Sequence, residues 1–150
     1  MFNNRFAVIG LGRFGSAIAR SLADRGAEVL AIDNNETHVE AVKDEVAHAV
    51  MLDSTDIKSL KGHNVQEMDA VIVAIGEDFE SLLLTSVLLL ELEVKRVISR
   101  SGSPQQRMIL EKVGISETLS PETEVANTVA ETLLRPTMRS FLSLPDDYQI

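Results

Sequence analysis

Three glycines and one acid carry the most chemistry in this chain. Gly10, Gly12 and Gly15 fall in the run Phe6-Ala7-Val8-Ile9-Gly10-Leu11-Gly12-Arg13-Phe14-Gly15. Asp33 follows 18 residues after Gly15, at the end of a second apolar run, Val29-Leu30-Ala31-Ile32. A glycine directly after a strand permits a tight turn, which is the part for Gly10. Gly12 lets the backbone approach a phosphate, and Gly15 lets the next helix pack on the strand. The start of that helix offers unpaired N–H groups and a partial positive charge to the same phosphate. A carboxylate at the second strand's end accepts from both hydroxyls of a ribose. Arg13 stands in the first helical turn, where a cation opposes the helix dipole by a few tenths to about 1 kcal/mol. An anionic ligand there reverses the penalty and adds charge-assisted hydrogen bonds; a solvated arginine is the plain alternative.

These residues need a scaffold, and the pattern around them supplies one. Ala17, Ile18 and Leu22 recur at helical spacing, and Gly26 ends that helix. Strands are expected near 5–10, 28–32, 47–52, 69–75, 95–99 and 115–119. Helices are expected near 13–25, 35–45, 79–92, 103–113 and 122–134, with a weaker turn or short helix near 56–61. Such alternation predicts an α/β Rossmann fold: a doubly wound, six-stranded parallel sheet with helices on both faces. Ligands of such sheets bind beyond the carboxyl ends of the strands. Those ends deliver Asp33 and Asn34, then Asp53 and Ser54, then Ala74 and Gly76, then Arg100, and finally Glu122 after Pro121. Asp53 and Ser54 are candidates to meet a base or ribose; alternatively, Ser54 or Thr55 caps the short segment that follows. Gly76 either admits an adenine ring or makes a plain turn. Arg100 either reaches a phosphate or faces solvent.

Composition narrows the function classes. A length of 150 residues points to one domain, and 45% hydrophobic residues are enough for a core. The formal charge of −9 is opposite to a nucleic-acid footprint. There is no cysteine, so disulfides and thiolate metal sites are excluded. The apolar stretch Leu82 to Leu90 is far short of the roughly 20 residues that cross a bilayer, so direct membrane insertion is not expected. His38, His48 and His63 show no metal-ligand spacing, and no serine, histidine and acid group as a nucleophilic site. The helix at 79–92 is apolar nearly all round, which calls for two buried sides: an oligomer contact or, alternatively, a crowded place in a thick monomeric core. Pro136 breaks the last helix. A short helix over 137–144 and a strand beginning at 148–150 are expected beyond it, as if a further domain followed; a frayed tail is the plain alternative.

The run at 6–15 resembles the amino-terminal domain of the RCK (regulator of potassium conductance) family, also called TrkA-N, and within it the regulatory subunits of Ktr- and Trk-type potassium-uptake systems. The likeness continues through Ala47-His48-Ala49-Val50, Asp53-Ser54-Thr55-Asp56, Val71-Ile72-Val73-Ala74-Ile75-Gly76-Glu77 and Leu110-Glu111-Lys112-Val113-Gly114. It covers 1–135, leaving 136–150 as a link toward an RCK carboxy-terminal domain. The resemblance implies a non-enzymatic cytoplasmic subunit, lying at the inner face of the plasma membrane through a potassium channel or transporter partner. It implies homodimers that assemble into a gating ring, usually of eight domains. ATP, ADP or NAD(H) would bind the site and change the ring's shape. The family's glycine-loop residues map to Gly10, Gly12, Arg13, Phe14 and Gly15, its ribose acid to Asp33, and its basic residue after strand five to Arg100. Its terminal-phosphate glutamate, sometimes with a divalent ion such as Mg or Ca, maps to Glu122, although Ser120 stands where histidine is common. The competing expectation is the cofactor domain of an NAD-dependent dehydrogenase, because a ribose acid serves both classes.

Overall fold

Apolar runs bounded by glycine, proline and acidic caps become six parallel strands in the computed structural model, which describes residues 4–135. The chain runs β1 (Arg5–Ile9), α1 (Arg13–Asp24), β2 (Glu28–Asp33), α2 (Glu36–Val42), β3 (His48–Met51), α3 (Ile57–Gly62), β4 (Ala70–Val73), α4 (Phe79–Glu91), β5 (Val97–Arg100), α5 (Pro104–Val113), β6 (Glu117–Leu119) and α6 (Pro121–Leu134). A 3-10 turn at Val65–Glu67 precedes β4. The strand order is β3-β2-β1-β4-β5-β6. This is the Rossmann order, and its reversal between β1 and β4 opens a crevice at their carboxyl ends. The residues form two compact units, one through Leu119 and one from Ser120 onward that contains α6. The segments expected at 137–144 and 148–150, and the division expected at 135/136, extend beyond the described residues.

Alternation along the strands builds two cores. Ala7, Ile9, Leu30, Ile32, Val71 and Val73 face one side, with Leu60 of α3, Leu82 and Leu89 of α4, and Leu110 of α5. Val8, Val29, Ala31, Ile72 and Ala74 face the other, with Ala19 of α1 and Val39 and Val42 of α2. Helices therefore cover both faces, as the apolar runs predict for strands buried on two sides. Truncating a leucine as enclosed as Leu60 or Leu89 costs about 2–5 kcal/mol.

Local capping sets the loops. Asn35, Asp56, Asp78 and Ser103 cap α2, α3, α4 and α5 with side-chain oxygens. The cap of α3 is thus Asp56, and neither Ser54 nor Thr55 fills that role. The carboxylate of Asp53 instead accepts from the Thr55 N–H at 2.9 Å and hydroxyl at 2.6 Å. Helix α5 ends in a Schellman turn: Gly114 takes φ +113° and the Ile115 N–H reaches the Leu110 carbonyl at 3.0 Å. This turn uses Ile115 as a plug, and β6 starts later than its apolar pattern implies.

Helix α4 packs in an unexpected orientation. Two of its three hydroxyl residues, Thr85 and Ser86, are fully buried, while Leu84 is 43% exposed. The hydroxyls have partners inside. Thr85 pairs with the Ser54 hydroxyl at 2.8 Å, and Ser86 pairs with the Ser99 hydroxyl at 2.7 Å. Polar groups point inward and leucines partly outward, the reverse of a helix that ends at water.

Candidate functional site

The β1–α1 turn shows why each glycine is there. Gly10 has φ +96°, and a Cβ on it would lie 2.8 Å from the Ile75 nitrogen. A Cβ on Gly15 would fall on the carbonyl oxygen of Gly10. Both glycines are therefore required by the protein's own packing of α1 against β1 and β4. Gly12 is different: its φ is −69°, and a Cβ there meets nothing within 4 Å. Gly12 is also the cap residue of α1, no side chain caps the helix start, and its first turn holds no acid. Arg13, exposed, is the first residue of the helix. The result is an uncapped, electropositive helix start beneath open space, the geometry that receives a phosphate. These residues fit the phosphate end of a nucleotide.

Asp33 ends β2 and is the hinge pin of the site. Its Oδ2 accepts the Leu11 N–H at 2.7 Å and its Oδ1 the Asn35 N–H at 2.8 Å. His38 presents Nδ1 to Oδ2 at 3.2 Å. A carboxylate cannot donate, so Nδ1 carries the proton. One acid thereby fixes the glycine turn, the β2–α2 turn and the first part of α2.

The ends of β4 and β5 converge on the same turn. The Arg100 guanidinium lies 5.4 Å from the centre of the Phe14 ring, within cation–π range. A Cβ on Gly76 would stand 3.0 Å from its NH1 nitrogen. Gly76 therefore leaves room for an arginine, and three candidates from distant parts of the sequence become neighbours. Ala74 is buried, with its N–H on the Ile9 carbonyl at 2.7 Å, and underlies Gly15.

The remaining candidates are placed as follows. Asn34 is exposed between Asp33 and the α2 cap Asn35. Asp53 is exposed after β3, and its hydrogen bonds from Thr55 hold its carboxyl below the ordinary value. The Ser54 side chain turns inward to Thr85. Glu122 lies in the first turn of α6, within the second unit. Among the described residues, no three acidic or histidine side chains gather as a metal site. A cavity of about 330 Å³ lies at the other end of the strands, lined by Arg5, Glu28, His48 and His63 among others.

Sequence reasoning missed Leu11, Asn35, His38 and Thr85. Asn35 was legible, since an Asn just before Glu36 is a cap signal. His38 was legible too, because a residue three past a cap can fold back on the preceding loop. Leu11 acts through its backbone, and Thr85 through a contact 31 residues away, so neither leaves a local signal.

The chain matches the TrkA-N domain model over residues 6–121. It is 35% identical over 145 residues to Ktr system potassium uptake protein C of Bacillus subtilis, covering 97% of this chain and 66% of that protein. It is 35% identical over 148 residues to Ktr system potassium uptake protein A of the same organism, covering 99% of this chain and 67% of that protein. The chain thus spans about two thirds of the length of these relatives. Among solved structures, the NAD(P)-binding domain of an exopolyphosphatase-related protein from Archaeoglobus fulgidus superposes with a TM-score of 0.76 at 25% identity, over 87% of this chain and 97% of that one. The GsuK bound to ADP superposes with a TM-score of 0.72 at 22% identity, over 89% of this chain and 34% of that one, a likeness of fold. A Rossmann sheet in the 3-2-1-4-5-6 order, a glycine turn locked to the acid that ends β2, and the match through residue 121 agree: this chain belongs to the TrkA-N domain family.

Proposed function

We propose that this chain is the nucleotide-sensing, non-catalytic domain of a regulatory subunit that acts on a membrane potassium channel or transporter. The observation that carries this reading is Gly12, the one glycine of the turn that the protein's own packing does not require, set at an uncapped helix start. ATP, ADP or NAD(H) are the ligands. The α1 start and Arg13 take phosphate, with Arg100, steadied on Phe14, beside them. Asp33 takes the ribose. Asn34 and Asp53 frame the nucleoside end with exposed side chains, and Ser54, Ala74 and Gly76 contribute backbone only. A divalent cation would accompany the phosphates. The relatives' names as potassium uptake proteins supply the system.

Assembly is part of the proposal. Leu84 of α4 and Met108 and Ile109 of α5 are exposed apolar residues. They suit a homodimer that builds a ring, of eight domains, with a second RCK domain following this one. Among the described residues, no helix is long and apolar enough to cross a membrane. In this reading membrane contact belongs to the partner, with the ring on the cytoplasmic face. Calorimetry of the purified chain against ATP, ADP, NAD and NADH, with and without magnesium, tests the reading. Saturable binding that Asp33→Ala weakens is the expected result. No binding of any of the four removes it.

A further inference from the structure

Asp33 has more hydrogen-bond donors to satisfy than its two oxygens can hold once a ribose arrives. An ionised carboxylate offers about four acceptor positions, two on each oxygen. Oδ2 uses both, on the Leu11 N–H at 2.7 Å and His38 Nδ1 at 3.2 Å. Oδ1 uses one, on the Asn35 N–H at 2.8 Å. A single position remains, and a ribose diol brings two O–H donors. The Leu11 and Asn35 donors are backbone groups, one in the glycine turn and one at the α2 cap, so they stay. The His38 side chain is 46% exposed and free to swing outward. Its bond is also the longest of the three.

We propose that His38 competes with the ribose for Asp33, and so sets how strongly the site favours a ribose diol over a sugar lacking one hydroxyl. The inference rests on the nucleotide reading of Asp33. A ribonucleotide must displace the imidazole to make both hydroxyl bonds. A 2′-deoxyribonucleotide needs only the open position on Oδ1 and leaves His38 in place. The imidazole thus acts as a built-in rival ligand, lowering affinity for the full ribose and narrowing its advantage over the deoxy form. His38 is a specificity-determining residue that touches the binding acid rather than the phosphates.

Calorimetry with ADP and 2′-deoxy-ADP on the whole chain, its His38→Ala variant and its His38→Asn variant tests this. His38→Ala should tighten ADP about three- to tenfold, the equivalent of one net hydrogen bond. The same change should alter 2′-deoxy-ADP less than about twofold. His38→Asn keeps an N–H donor near the position of Nδ1 and should stay close to wild type on both ligands. Equal shifts for the two ligands, or weaker ADP binding by His38→Ala, overturn the proposal. ADP binding that needs Asp33 but ignores His38 overturns this inference alone. Failure of wild-type chain to bind ADP overturns the nucleotide reading beneath it as well.

Discussion

Alanine at each glycine of the turn separates folding from ligand binding. Gly10→Ala places a side chain at φ +96°, a left-handed region that costs about 1–2 kcal/mol for most residues. Its Cβ also meets backbone atoms of Ala74 and Ile75 at 2.9 and 2.8 Å, and this backbone, just past β4, cannot retreat as a flexible side chain can. Gly15→Ala drives a methyl into the Gly10 carbonyl, so α1 must lift from β1; overpacking of this kind adds about 1–3 kcal/mol. Gly12→Ala meets nothing, at φ −69° and ψ −162°, which alanine adopts freely. Reduced entropy of the unfolded chain favours it by about 0.4–1 kcal/mol. Alanine's poorer capping opposes that by a similar amount, leaving stability within about 0.5 kcal/mol of wild type. The methyl then occupies the approach to the α1 start, and ADP affinity should fall at least about tenfold, or 1.4 kcal/mol. Urea unfolding midpoints and calorimetry with ADP read the two effects. A Gly12→Ala protein that binds ADP as wild type does would refute the reasoning, as would one that unfolds as readily as Gly15→Ala.

Three further outcomes are expected. Asp33→Ala should weaken every adenosine ligand by roughly 1.5–3 kcal/mol, and wild type should prefer NAD to NADP because the acid repels a 2′-phosphate; equal affinity for the two in calorimetry counts against the ribose role. Thr55→Val removes the hydroxyl that is the first cause of the lowered Asp53 pKa, so that pKa should rise toward the ordinary 3.8 in an NMR titration, and no movement contradicts the hydrogen bond. The sign follows: a depressed carboxyl stabilises the fold above its unfolded pKa, and that share is lost as pH falls through the folded value. Replacing Leu84 and Met108 with Glu should shift the chain to smaller species in sedimentation, while a parent that is monomeric at high concentration removes the assembly argument.

The six-stranded parallel sheet, both helical layers and the glycine turn were legible because the alternation of elements and the glycine spacing are local patterns. The apolar run ending at Val8 and Ile9 marked a buried strand, and the glycine spacing marked the turn. Boundaries were less legible. Helix α2 stops at Val42 rather than near 45, and the 3-10 turn at Val65–Glu67 has no periodicity to announce it. In the site, Gly10, Gly15, Phe14, Gly76 and Arg100 do meet. Yet the reason for Gly76 is the Arg100 side chain, a contact between strand ends that spacing cannot reveal. The residues around Asp33 were half visible, since side-chain partners leave a type at a position and the backbone partner Leu11 leaves none.

The inward hydroxyls of α4 decide which of many similar helices this one is. A rod clad in Phe79, Leu82, Leu83, Leu84, Val87, Leu88, Leu89 and Leu90 can roll against an aliphatic sheet with little change in buried oil, because one leucine replaces another. Thr85 and Ser86 break that degeneracy. Only one rotation and one axial setting bring them to Ser54 and Ser99 together. A slip of one residue would bury unpaired hydroxyls at about 1–3 kcal/mol each. The pair works as a two-toothed key: it adds little gross binding of helix to sheet, but it selects a single seating. That seating determines which leucines are left facing outward, and so the shape of any surface offered to a neighbour.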